Sequence, residues 1–123
     1  MPNPILIADC EESTRETLKH ILANHFPLIV VETQSHALEI LSQRRDIQLL
    51  FLGLHDEDGI NTAVFSDIRE KLADLTIIAS GDYKSEEHAI EAVKAGATGY
   101  MVKPFKAEEV LAVARKTTGY PTG

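Results

Sequence analysis

The chain has 123 residues, 44% of them apolar and 25% charged, with a net charge of −7 and a single cysteine, Cys10. That size suits one globular domain with a sizeable core, and no apolar run nears the ~20 residues a membrane helix needs. The acidic balance argues against direct nucleic-acid binding, which needs clustered Lys and Arg on the phosphates. A lone cysteine forms no internal disulfide, and "MPNPILIADC" lacks the features of a secretory signal, so the expected compartment is the cytoplasm.

Ile5 to Ala8 is a short apolar run, read as a strand. The segment "STRE" offers a capping box, Ser13 with Glu16, ahead of Leu18, Ile21, Leu22 and Phe26 at helical spacing, and Pro27 stops that helix. Leu28 to Glu32 reads as a second strand, and Ala37, Leu38 and Leu41 mark a second helix. Ile47 to Leu54 is apolar at nearly every position, which suits a strand covered on both faces. It breaks into His55-Asp56-Glu57-Asp58 and Gly59, a polar loop with a turn. Sequential residues rarely converge on one ion, so this loop is not read as a metal site. His20, His25, His36 and His88 have no ligand spacing either and read as surface or helix-flank residues.

A third helix is expected over Ala63 to Leu72, with Val64, Ile68 and Leu72 on one face, and a fourth strand over Leu75 to Ala79. Ser85 caps a fourth helix running to Ala95, and Gly96 ends it where positive φ is wanted. Tyr100 to Val102 is a fifth strand and Glu108 to Lys116 a fifth helix. Strict β–α alternation with short connections implies a parallel sheet with right-handed crossovers, a doubly wound α/β domain. The domain is placed at residues 3–118, with 119–123 as a tail or the start of a linker.

Alternation alone fits many flavodoxin-like domains, and three motifs narrow it. "ILIADCEE" resembles the first strand and acidic loop of response-regulator receiver domains. "TIIASG" resembles their fourth strand, which ends in Ser or Thr and a small residue. "AVKAGATGYMVKPF" is the most specific, with Ala-Gly-Ala after a helix, an aromatic on the next strand, then Lys-Pro-Phe. The resemblance runs from about Ile5 to Ala114. It implies a five-stranded sheet of order 2-1-3-4-5, with Asp9, Cys10, Phe51, Ser80 and Lys103 meeting at its carboxyl edge.

In that family the third strand ends in an aspartate that takes a phosphoryl group from a histidine kinase. Aligned without a gap between Asp46 and Asp58-Gly59, the acceptor position falls on Phe51, and a shift of two residues puts it on Gly53, which is no better. His55 stands where the loop proline belongs. Of the two adjacent acids on the first strand, Asp9 remains and the second, the direct Mg²⁺ ligand of the family, is Cys10. A neutral thiol is no ligand for Mg²⁺, and Asp9 with Glu11 makes at most a weak site. No cofactor is therefore expected. By the same resemblance, Ser80 is the hydroxyl that contacts the phosphoryl group, Tyr100 the aromatic switch, Lys103 the ammonium that pairs with the carboxylates, and Pro104 the proline following a cis peptide.

Phe51 has two readings, a lock that fills the acceptor's place and drift that merely extends the core. Cys10 reads as a small semi-buried residue, or as a redox thiol whose thiolate is favoured by Lys103. Lys103 is expected to pair with Asp9. The resulting function is a pseudo-receiver, a non-enzymatic signalling module of a two-component pathway acting by protein–protein interaction. Its partner is a signalling protein or an attached effector domain, with self-association expected through the fourth helix, fifth strand and fifth helix. Thr98 and Gly99 stand where some receivers carry an Asp pair, so a salt-bridged dimer lacks those acids. An alternative is a working receiver phosphorylated at a non-standard acid such as Asp56. A flavodoxin-like cofactor binder is the weakest reading, because "EESTRET" has no Gly to let the backbone wrap a phosphate.

Overall fold

The computed structural model describes residues 3–56, 59–60, 63–81 and 86–118, of which 55–56, 59–60, 86 and 88 are described as backbone only. The Ser85 cap, the Asp58 turn and the 119–123 tail lie outside the described residues. The elements alternate as the sequence implies: β1 Ile5–Ala8, α1 Glu12–Leu22, β2 Leu28–Val31, α2 Gln34–Gln43, β3 Leu49–Gly53, α3 Val64–Lys71, β4 Thr76–Gly81, α4 Glu86–Ala95, β5 Gly99–Val102 and α5 Ala107–Thr118. The main sheet is parallel, in the order β2-β1-β3-β4-β5.

Strand alternation sends successive side chains to opposite faces, and each face buries its own cluster. Leu6, Ala8, Leu50, Leu52, Ile77 and Ala79 pack with α2, α3 and α4 through Ala37, Leu41, Phe65, Ile68 and Ala92. Ile5, Ile7, Leu49, Phe51 and Ile78 pack with α1 and α5 through Leu18, Leu22, Val110 and Ala114. β3 is central and buried throughout, which is why its sequence shows no polar relief.

Several boundaries depart from expectation. α1 ends at Leu22, four residues before Phe26; Phe26 instead folds back, its N–H donating to the Leu22 carbonyl, and fills the core beside α1. The Ser13–Glu16 capping box does not form, because the helix starts two residues earlier, with Glu11 as N-cap. Ser13 is thereby inside the helix, where its carbonyl accepts from the Thr17 hydroxyl. The polar stretch after β3 is a two-stranded antiparallel ribbon, His55–Asp56 with Gly59–Ile60. Gly96 does end α4 as expected, with φ +134°, and the Ala97 N–H closes on the Ala92 carbonyl at 2.9 Å. Arg69 secures that turn from α3: its guanidinium donates to the carbonyls of Gly96, Ala73 and Leu75.

Candidate functional site

At the carboxyl edge, the ladder pairs Ala8 with Leu52 and Gly53 with Ser80, so the row beyond them runs Asp9, Gly53, Ser80. Asp9 and Ser80 are both buried. Asp9 is pinned by the chain that leaves β1. The Glu11 N–H donates to Asp9 Oδ1 at 2.9 Å, and Arg15 of α1 donates to the Asp9 backbone carbonyl at 2.8 Å.

Lys103 reaches this row from the end of β5. Its backbone N–H donates to the Gly81 carbonyl at 2.9 Å, which hangs it from the end of β4. Its Nζ lies 3.0 Å from Asp9 Oδ2, in side chains only 11% and 3% exposed, and it also donates to Glu11 Oε1. The expected Lys103–Asp9 pair is therefore present, with Glu11 as an added partner. Burial would lower the Lys103 ammonium, but the hydrogen bonds to Glu11 and Asp9 outweigh it and hold the group above its ordinary value. The peptide before Pro104 is cis, as the resemblance implied.

The β3 residue beside Asp9 is Gly53, not Phe51. A Cβ built on Gly53 would lie 2.5 Å from Asp9 Oδ2, so the carboxylate occupies the space a side chain there would need. Phe51 pairs with Ile7 and Ile78, one same-face step in from the edge, and is 2% exposed among Leu18 and Val110. The physical reason is the strand's period of two. A two-residue shift keeps every side chain on its face, so the apolar pattern cannot tell the two registers apart. The Gly53 carbonyl is bound by the buried Gln34 of α2, whose Nε2 donates at 3.0 Å. Sequence reasoning passed over Gln34; its only signal was a large amide in the first turn of a helix whose neighbours Ala37 and Leu41 face the core.

Cys10 departs from both of its readings. It is exposed rather than semi-buried. Its thiol is raised, first by local desolvation and then by the Asp9 carboxylate, which together outweigh Lys103; the thiolate is disfavoured. Tyr100 pairs with Ala79 and packs on the α4 side of the sheet, away from the Asp9 row, and its hydroxyl sits against Gly81. Asp56 pairs with Gly59 in the ribbon, and its side chain lies outside the described residues, as does that of His88. His20, His25 and His36 are exposed, as expected. Thr98 is used internally, its Oγ1 accepting from the Ile77 N–H at 3.0 Å. No group of three or more His, Cys, Asp or Glu side chains gathers at metal-binding distance among the described residues. No described helix is long and apolar enough to cross a membrane.

This arrangement of sheet, acid, hydroxyl and lysine has close counterparts. The response regulator receiver domain model matches residues 5–115. The chain is 32% identical over 113 residues to the chemotaxis protein CheY of Halobacterium salinarum, covering 90% of this chain and 92% of that protein. It is 39% identical over 83 residues to the transcriptional regulatory protein KdpE of Staphylococcus aureus, covering 68% of this chain but 34% of that protein. Other curated relatives are matched over about half their length. A response regulator from Thermotoga maritima superimposes with a TM-score of 0.81 at 25% identity, covering 97% of this chain and 99% of that one. With the family model spanning nearly every element that builds the Asp9–Lys103 edge, the chain belongs to the response-regulator receiver family of two-component signalling.

Proposed function

We propose that this receiver domain signals by protein–protein interaction and takes no phosphoryl group at its carboxyl edge. The observation that carries this reading is Gly53, which stands beside Asp9 and Ser80 where an acceptor carboxylate would belong and has no space for a side chain. The charge arrangement supports it. In a phosphorylatable site the lysine faces the acceptor, whereas here both of its carboxylate partners, Asp9 and Glu11, come from the loop after β1. The donor set also fits Mg²⁺ poorly, because both carboxylates are held by Lys103 and Cys10 offers a raised thiol. The domain is accordingly proposed to bind no Mg²⁺ at this edge and to have no catalytic residue.

The surface for a partner is proposed to be the α4–β5–α5 face, where Ile90, Val93 and Val102 are exposed. It would serve a signalling protein, an attached effector domain or a second copy of this chain. Relatives such as KdpE, of which the chain spans 34%, are named as transcriptional regulators, which favours an effector in a longer protein. A cytoplasmic location goes with this proposal.

The test is incubation with acetyl phosphate and Mg²⁺ followed by intact-mass measurement. No added phosphoryl group is the expected result. Incorporation that survives Asp56→Asn would overturn the reading, and incorporation abolished by that substitution would establish the alternative acceptor in its place.

A further inference from the structure

β3 outruns its ladder with β1: the last pair is Ala8 with Leu52, and Gly53 lies one residue beyond it. The Gly53 carbonyl is met from the helical layer, by Gln34 Nε2 at 3.0 Å. Gln34 opens α2 shortly after β2, and the strand order β2-β1-β3 means that its side chain reaches past β1 to make this bond. The origin of that reach is fixed, because Thr33 caps α2 by accepting from the His36 N–H at 3.0 Å. Gln34 is 8% exposed, and its Oε1 is the one buried side-chain polar atom without a hydrogen-bond partner among the described residues. Burying an unsatisfied acceptor is costly, and the bond to Gly53 is what offsets that cost.

We propose that Gln34 is a positioning residue that acts through Gly53 on the Asp9–Lys103 pair, which makes the first turn of α2 a lever on the charged edge. Glycine has no side chain to fix a strand end and the most backbone freedom to lose. The end of β3 is held by its pairing with Ser80 and by Gln34. The Asp9 carboxylate fills the space beside it, 2.5 Å from where a Gly53 Cβ would stand, and the same carboxylate binds Lys103 Nζ and the Glu11 N–H. A shift of the Gly53 backbone therefore moves the wall against which Asp9 is packed. Ser35 and His36 are exposed in the same first turn, so a contact made there reaches the edge through Gln34. This coupling holds whether or not the domain takes up a phosphoryl group.

Two substitutions test it. Gln34→Met keeps the bulk and removes the bond. In ¹H–¹⁵N spectra it should shift the amides of Glu11 and Lys103, and its Tm loss should be smaller in a Lys103→Met background. A merely structural amide would leave those two amides in place and give losses that add, since Gln34 and Lys103 have no hydrogen-bond partner in common. Gln34→Glu returns a donor to Gly53 only while its carboxyl is protonated. Burial and the facing carbonyl raise that carboxyl in the folded state. Relative to the natural chain at the same pH, stability is therefore kept below the unfolded value of about 4.3 and lost as pH rises through the folded one. The Gln34→Glu spectrum should accordingly match the natural chain in acid and Gln34→Met at neutral pH. Unmoved Glu11 and Lys103 amides, additive Tm losses, or a Gln34→Glu variant without this pH dependence would each overturn the proposal. If Gln34→Met does not fold, Gln34→Glu decides alone: recovery of the natural spectrum in acid supports the lever, and its absence refutes it.

Discussion

Lys103 Nζ lies 3.0 Å from Asp9 Oδ2, and both side chains are almost wholly withdrawn from water. Removing one member of such a pair leaves the other as an uncompensated buried charge, which typically costs about 3–5 kcal/mol. Lys103→Met should therefore destabilise the domain by about 3 kcal/mol. Glu11→Gln should cost less than about 1 kcal/mol, because the Glu11 side chain is 43% exposed and water replaces the lost contact. Urea unfolding of the two variants checks the ordering, and equal losses would contradict it.

The pH dependence follows from the direction of the Lys103 shift. A lysine raised in the folded state stabilises fully below its unfolded pKa, about 10.4, and that stability is lost as pH rises through the higher folded value. The stability gap between the natural chain and Lys103→Met should thus be flat from neutral pH to about 10 and shrink above it. Denaturant midpoints at a series of alkaline pH values would show this.

Installing an aspartate at either candidate acceptor position should not create a phosphorylation site. Phe51→Asp places a carboxylate in the core beside Leu18 and Val110. It should destabilise by more than Phe51→Ala, itself about 3–5 kcal/mol. Adding Cys10→Asp should not rescue it, since the buried charge remains. Gly53→Asp drives its Cβ into the Asp9 carboxylate and sets two acids side by side. Circular dichroism melts combined with acetyl phosphate and mass measurement test all three, and stoichiometric labelling of a folded Phe51→Asp protein would refute the placement of Phe51.

Arg69→Met should lower stability by about 1–2 kcal/mol, because the carbonyls of Ala73, Leu75 and Gly96 lose their donor while partly keeping access to water. Gly96→Ala should cost a similar amount from its positive φ and a Cβ 3.3 Å from Phe65 Cβ. The two sites share one turn, so their losses should not add. Thermal melts of the single and double variants measure this.

Alkylation of Cys10 should be slow at neutral pH despite its exposure. The rate should rise with an apparent pKa above the ordinary thiol value of about 8.5, because local desolvation and Asp9 disfavour the thiolate. A midpoint below that value would mean that Lys103 dominates after all.

Local chemistry made much of this domain legible in advance. The order of elements followed from apolar runs and their punctuation, because a strand buried on both faces and an amphipathic helix leave different periods. The Gly96 turn and the Lys103–Asp9 pair were legible too, the first from backbone sterics and the second from a motif whose charges need each other. The helix start was not, since Ser13 and Glu16 satisfy a capping pattern that loses to Glu11 once the loop wraps Asp9. Nor was the register at the carboxyl edge. Phe51 and Gly53 lie on the same strand face, so either satisfies the alternation, and a chain pattern cannot measure how many residues the ribbon after β3 takes up. Contacts between distant segments settle that choice: Ile7 and Ile78 flank the benzyl ring in the core, and the Asp9 carboxylate fills the space that Gly53 leaves open.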